Sequence, residues 1–180
     1  MSNDLWRTPP EVFNTLNAEF HFIADMACSH QNALCALHFT EEDDSLSFNW
    51  SQHPALQSNR LEYVWLNCPY SNPMPWVKQA KRAQIGGLGV VMLLNNDTSV
   101  GWFAEAYKTV SEIRCIIADE MPEEDKRHRE YTTGRIHFLD ENGQPGTTNN
   151  KPQFILIFNP FKIAARITTY ITKKELYGYL

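Results

Sequence analysis

The chain is predicted to be an α/β domain built on a mostly parallel, mixed sheet. Three features predict this. Strand-like apolar runs alternate with helical stretches along most of the length. One run, residues 88–94 (LGVVMLL), is apolar throughout, as expected of a strand buried on both faces. The last two predicted strands, 135–139 and 153–158, have no helix between them, which predicts an antiparallel hairpin at one edge of the sheet, with helices flanking the rest.

The elements follow in order. Thr8-Pro9-Pro10-Glu11 reads as a helix start, with Thr8 as N-cap, prolines in the first turn and Glu11 three residues on, as in a capping box. Val12, Phe13, Leu16 and Phe20 then recur at helical spacing. Residues 20–27 (FHFIADMA) read as a strand running into a loop. Residues 32–37 read as a short helix, and 40–47 (TEEDDSLS) as a loop dense in acid. Residues 63–66 (YVWL) are a β-rich run that stops at Asn67-Cys68-Pro69-Tyr70, where Pro69, Pro73 and Pro75 forbid regular structure. Residues 76–84 form a helix ended by Gly86-Gly87, which also mark the turn into the apolar strand. A further helix over 101–110 and a strand over 113–117 follow. The turn-rich segment 140–150 separates the last two strands. No internal repeat, Gly-x-Gly-x-x-Gly or Walker-type loop is present.

Length and composition bound the function. With 180 residues and 20.8 kDa the expectation is one domain over 1–180. No apolar run approaches the length of a membrane span. Met1-Ser2-Asn3-Asp4 lacks the basic and apolar start of a signal peptide, so a cytoplasmic protein with its four cysteines as thiols is expected. A net charge of −5 argues against a protein that coats nucleic acid nonspecifically. It leaves room for a local basic patch at Lys126, Arg127, Arg129 and Arg135. The alternative for that patch is a solvated loop, since acidic residues precede it.

The chemistry-bearing element is Asn67-Cys68-Pro69-Tyr70, an amide, a rigid turn and an aromatic ring at the carboxyl end of an apolar strand. Ligands of open α/β sheets sit beyond such strand ends. The segment resembles the (Asn/Asp/Ser)-Pro-Pro-(Tyr/Phe) motif of methyltransferases that act on amino nitrogens. More closely, the chain is similar to the phage-encoded DNA N-6-adenine methyltransferases in ordered blocks. These are Asp4-x-Trp6-x-Thr8-Pro9, Phe22 to Ala27 followed by Asn32-Ala33-x-Cys35, Asp43-Asp44-Ser45-Leu46 with Trp50, Asp97-Thr98-Ser99 with Trp102-Phe103, and Gly134-Arg135-Ile136-x-Phe138.

The resemblance implies a Rossmann-like methyltransferase fold with a sheet of about seven strands. It implies methyl transfer from S-adenosylmethionine to N6 of a flipped-out adenine in double-stranded DNA, with no metal. The adenine amine is a poor nucleophile because its lone pair is delocalised. Acceptors aimed at its hydrogens localise that pair and stabilise the developing charge. By the resemblance, the Asn67 side-chain oxygen and the Cys68 carbonyl are those acceptors. Pro69 rigidifies the turn, and Tyr70 stacks on the extruded base. Trp6, Thr8 and Pro9 would close the methionine end of the donor, with Asn67 beside it. Asp25 would lie near the methionine part, Asp44 would accept from the donor's adenine amine, and Leu46 would pack nearby. The phage or prophage setting implies the bacterial host cytoplasm. Cys68 departs from the usual proline, which makes the turn less rigid.

Other readings stay open. Cys28, His30, Cys35 and His38 are possible zinc ligands, but their interleaved order fits structural zinc poorly. Cys68 has no histidine paired with it in sequence. The chain could be a DNA-binding homologue impaired in catalysis, or could methylate an RNA base or a protein glutamine. Oligomeric state and recognition sequence are not expressed in the residues.

Overall fold

The computed structural model describes residues 4, 6–126, 129–146 and 149–179. Helix α1 (Pro10–Phe20) precedes a two-residue strand β1 (Ala24–Asp25). Strand β2 (Tyr63–Leu66), helix α2 (Met74–Ile85), strand β3 (Gly89–Asn95), helix α3 (Gly101–Tyr107) and strand β4 (Glu112–Ile117) alternate as expected. Strands β5 (Gln153–Phe158) and β6 (Ile167–Thr172) and the one-turn helix α4 (Lys173–Leu176) complete the chain. Short 3₁₀ turns occupy Trp50–Gln52, Pro54–Leu56 and Glu123–Asp125.

The six strands lie in the order β1-β2-β3-β5-β4-β6. Strands β1 with β2, β2 with β3, and β4 with β6 pair in parallel, whereas β5 runs antiparallel to both β3 and β4. All strands but β5 therefore point the same way. The sheet is mixed and mostly parallel, as the sequence predicts, but the antiparallel strand is interior rather than half of an edge hairpin. Its burial explains this: every residue of β5 is buried, which an edge position does not give.

The sheet separates two cores by alternation. Val64 and Leu66 of β2, Val90, Met92 and Leu94 of β3, and Phe154, Leu156 and Phe158 of β5 pack under α2 and α3 through Val77, Ala80, Ala83, Phe103 and Ala106. Tyr63, Trp65, Val91, Leu93, Ile155 and Ile157 face the other way, against Val12, Phe13 and Leu16 of α1 and Leu176 of α4. Burying a side chain of this kind contributes about 1.5–3 kcal/mol, so the central strands anchor whatever their carboxyl ends carry.

Three local expectations are corrected. Thr8 does not cap α1. Pro9 is the N-cap, no side chain caps that end, and the Thr8 side chain is engaged elsewhere. Residues 32–37 form turns and bends rather than a helix, held by a Ser29 N–H bond to the Asn32 side chain and by the Asp25 carboxylate. Segment 135–139 is not a ladder strand. It alternates, burying Ile136 and Phe138, but among the described residues its only β-bridges are those of Leu139 to Arg7 and Pro145. Gly134 lets it approach: a Cβ there would sit 2.8 Å from the Ile116 carbonyl oxygen.

Candidate functional site

Strands β1 and β2 end side by side, and three loops converge beyond them. The loop after β2 carries Asn67 to Tyr70. The loop after β1 runs through Met26 to Leu37. The acidic loop, Thr40 to Ser47, folds over both. Asp4 and residues Trp6 to Pro9 lie across the top. Asp4 Oδ1 accepts from the Ser71 N–H at 2.9 Å, and Arg7 exchanges two backbone hydrogen bonds with Leu139, each 2.9 Å. Trp6 rests on Phe138 with ring centroids 5.5 Å apart, and Phe138 meets the Tyr70 ring edge-on at 6.0 Å.

These elements enclose a cavity of about 880 Å³, within the range of small-molecule sites. Trp6, Thr8, Asp25, Asp44, Leu46, Asn67 and Pro69 all line it, so most of the site residues expected from sequence converge. Pro9, Cys68 and Tyr70 are not in its wall. Pro9 starts α1, its carbonyl accepting from the Phe13 N–H at 3.2 Å. Cys68 is buried in the core beneath α2 and α3. Tyr70 is packed between the two cores. Met26, within the block Phe22 to Ala27, also lines the cavity, as do Arg7, Trp76 and Glu141, which sequence reasoning misses. Glu141 arrives through the tertiary pairing of Leu139 with Arg7, which leaves no local signal.

The Asn67 amide is half satisfied. Its Nδ2 donates to Thr8 Oγ1 at 3.0 Å, whereas its Oδ1 is buried with no partner. A buried unpaired carbonyl oxygen costs about 1–3 kcal/mol and is rare, so it marks a place where a donor is to be received. The Tyr70 hydroxyl is likewise buried without a partner. Burial holds the Tyr70 phenol well above its ordinary range and pushes the Cys68 thiol up, so both stay protonated at neutral pH. A neutral buried thiol is a poor nucleophile, which leaves Cys68 its backbone carbonyl as the group it can offer.

Asp25 is 2% exposed. Burial raises its carboxyl above the ordinary value, against the opposing N–H bonds from Leu34 at 3.1 Å and Ala27. A cation placed in the cavity would reverse that shift. Asp44 is exposed at the rim with φ 44°, a left-handed conformation that aspartate tolerates better than most residues. Glu41, Glu42 and Glu141 add to an acidic lining, while Met26, Leu46 and Trp76 supply apolar wall. That combination suits an amphipathic, cationic small molecule.

At the rim, His30 Nδ1 and His38 Nε2 lie 2.9 Å apart and bond each other. Burial pushes the thiols of Cys28 and Cys35 up to about 12. Among the described residues no group of three or more His, Cys, Asp or Glu is disposed to hold a metal. Lys126, Arg129 and Arg135 are not among the residues lining the cavity. Lys126 bridges Glu120 at 2.7 Å and Glu123 at 2.6 Å, and Arg129 and Arg135 are exposed. Arg127 lies outside the described residues. Among the described residues, no helix is long and apolar enough to cross a membrane.

Comparison with known proteins adds an independent line. A family described as DNA N-6-adenine-methyltransferase (Dam) matches residues 1–179. The chain is 35% identical over 162 residues to a DNA N-6-adenine-methyltransferase of Escherichia phage T1, covering 88% of this chain and 64% of that one. It is 32% identical over 161 residues to the enzyme of the same name from Haemophilus phage HP1, covering 87% and 79%. A shorter match, 40% over 53 residues, is to the putative methyltransferase YfdM of Escherichia coli. The chain thus spans just under two thirds of the length of the phage T1 relative.

Proposed function

Because the chain belongs to the DNA N-6-adenine-methyltransferase family, we propose that it transfers a methyl group from S-adenosylmethionine to N6 of an adenine extruded from double-stranded DNA. The observation that carries this reading is the buried, unpaired Asn67 Oδ1 at the wall of an acidic cavity beyond the sheet. An amine is the donor such an oxygen lacks.

The donor site fits the cofactor. S-adenosylmethionine supplies a sulfonium methyl group and carries a second positive charge on its ammonium. Asp25 and Asp44 offer carboxylates to a cationic, amine-bearing ligand, and Leu46, Met26 and Trp76 give its apolar parts a surface. Trp6 and Thr8 close the cavity from above.

The chain's own residues would then act on the target amine. Asn67 Oδ1 accepts one amine hydrogen and the Cys68 carbonyl the other. Each draws the nitrogen lone pair out of ring conjugation and stabilises the positive charge as the N–C bond forms and the donor's S–C bond breaks. The methylated nitrogen then loses a proton to water. Pro69 fixes the turn that aims both acceptors. Tyr70 offers an aromatic face once the Tyr70–Phe138–Trp6 contact opens, a stack of about 1–3 kcal/mol. Extrusion of the base is required because its amine is unreachable inside the duplex. The phage relatives favour the bacterial host cytoplasm as the setting of this reaction.

The test is transfer of labelled methyl groups to adenine-unmethylated duplex DNA, with Asn67→Ala alongside. Label in N6-methyladenine, abolished in the variant, is expected. Donor binding without labelled DNA would redirect the reading to an RNA base or protein glutamine acceptor. Absence of donor binding in the native chain would replace it with an inert DNA-binding homologue.

A further inference from the structure

We propose that Thr8 is a positioning residue: its hydroxyl pins the Asn67 side chain by accepting from Nδ2, which leaves Oδ1 for the target amine. This rests on the reading of Asn67 as the acceptor and goes beyond it. The likeness to the family gives Thr8 a place at the methionine end of the donor, whereas the geometry ties it to Asn67.

Three observations carry the inference. Thr8 is 4% exposed, and no backbone N–H of α1 uses its side chain, so its hydroxyl is not a helix cap. Its Oγ1 lies 3.0 Å from Asn67 Nδ2, across 59 residues of chain. The opposite end of the same amide, Oδ1, is buried and unpaired. An amide is nearly symmetric in shape but opposite in polarity at its two ends. Turned by 180°, it would present an NH₂ to an NH₂, a donor facing a donor. In the arrangement observed, Thr8 Oγ1 accepts from Nδ2 and so pins the side chain with Oδ1 left for the target amine, whereas in the turned amide the hydroxyl would have to reverse its role and donate to Oδ1. The Pro9-Pro10 pair fixes the backbone behind Thr8, because both φ angles are locked. The hydroxyl is thus delivered from a rigid helix start rather than a loose loop.

An aspartate at position 67 would present an oxygen in either orientation. It lacks the Nδ2 that Thr8 holds, so a loss that arises through that bond shrinks in an Asn67→Asp background, and this separates positioning from other roles. Thr8→Val, nearly isosteric, is expected to lower kcat about 30–100-fold, the scale of a misplaced reacting group. The dissociation constant for S-adenosylmethionine and KM for duplex DNA should move less than about threefold. Thr8→Ser should restore kcat to within about threefold. In an Asn67→Asp background, Thr8→Val should cost less than about fivefold, the coupling expected of a shared interaction. A turnover-independent readout is exchange of the Asn67 side-chain amide protons, assigned by their absence in Asn67→Asp. One should exchange slowly in the native chain and rapidly in Thr8→Val.

Weaker donor binding with unchanged kcat in Thr8→Val would overturn the inference in favour of a donor contact. Equal losses in the native and Asn67→Asp backgrounds, or unaltered amide exchange, would also overturn it. If Asn67→Ala stays active, the acceptor reading fails and this inference falls with it. If Asn67→Ala is inactive and Thr8→Val is not, only the positioning role fails.

Discussion

Ser45 Oγ donates to the Met26 carbonyl at 2.8 Å and thereby ties the acidic loop to the carboxyl end of β1. The Ser45 carbonyl in turn accepts from the Trp50 indole at 2.6 Å, and both residues are buried. Asp44 and Leu46 flank this anchor, one on either side of the chain. Ser45→Ala leaves the Met26 carbonyl unpaired in a buried setting, so a loss of about 1–3 kcal/mol in unfolding free energy is expected. The freed loop no longer holds Asp44 at the cavity rim, and S-adenosylmethionine affinity should weaken about tenfold, by about 1.4 kcal/mol. Thermal denaturation and titration calorimetry read the two effects separately. Destabilisation with unchanged donor affinity would detach the acidic loop from the donor site.

The buried Asp25 predicts a pH signature. Its folded carboxyl is raised above the ordinary value of 3.8, by burial first of all. The folded chain therefore holds this proton more tightly than the unfolded chain. Its contribution to stability is greatest at low pH and declines as pH rises from the ordinary carboxylate value through the raised folded one. Above both values the ionised group is a net cost. Asn at this position can still accept from the Leu34 N–H, so Asp25→Asn should melt higher than the native chain at neutral pH, with the gap closing below about pH 4. Donor binding should run the opposite way. A cationic donor favours the ionised carboxylate, so native affinity falls as pH drops through the raised value, while the variant binds more weakly and without that pH step. A variant with native affinity and the native pH profile would remove Asp25 from the donor site.

The Cys68 position predicts a gain. No carbonyl among the described residues accepts from its backbone N–H, so a proline there removes no backbone hydrogen bond. A proline also restricts the residue before it to extended conformations, which here is Asn67. Cys68→Pro is expected to raise kcat by up to about tenfold through better aim of the two acceptors. Burial keeps the native thiol protonated, so alkylating reagents applied to the folded protein at neutral pH should leave turnover intact. Unchanged kcat in Cys68→Pro would sink the rigidity argument. Rapid inactivation by alkylation in step with Cys68 modification would give the thiol itself a role.

The strands with the sharpest ends in the sequence are those whose burial is uniform. Strand β2 coincides with 63–66, where all residues are buried, and β3, buried apart from its last residue, lies one residue later than the expected 88–94 at each end. Residues 135–139 show why alternation misleads. Ile136 and Phe138 are buried, so the period is real, but period reports which side faces the core and not which strand is the neighbour. Strand β6 (ITTYIT) has no counterpart in the sequence reading. It lies at the sheet edge with mixed exposure, and its threonines interrupt any apolar pattern. At the site, Asn67 and Pro69 of the turn and Asp44 and Leu46 of the acidic loop reach the cavity wall as the sequence suggests, because their placement is local. The bond between Thr8 and Asn67 is not legible, because a capping pattern in neighbouring sequence loses to an amide distant in the chain.

The basic segment predicts unequal roles for its cations in DNA binding. Lys126 is held by two carboxylates, Glu120 and Glu123, at salt-bridge distance, and these pairs raise its ammonium above the ordinary value. Its charge is compensated before DNA arrives. Arg129 and Arg135 are exposed, and neither forms an ion pair among the described residues. Each phosphate neutralised contributes about 0.9 to the slope of log affinity against log salt. Arg129→Ala and Arg135→Ala should each lower that slope by about 0.9, and Lys126→Ala by clearly less. Glu120→Gln combined with Glu123→Gln should free Lys126 and steepen the slope by up to about 0.9, because exposed pairs of this kind are individually weak and easily exchanged for phosphate. Fluorescence anisotropy of a labelled duplex between about 50 and 200 mM salt measures all of these. A slope unchanged in the Arg129→Ala, Arg135→Ala double variant would remove this segment from the DNA interface.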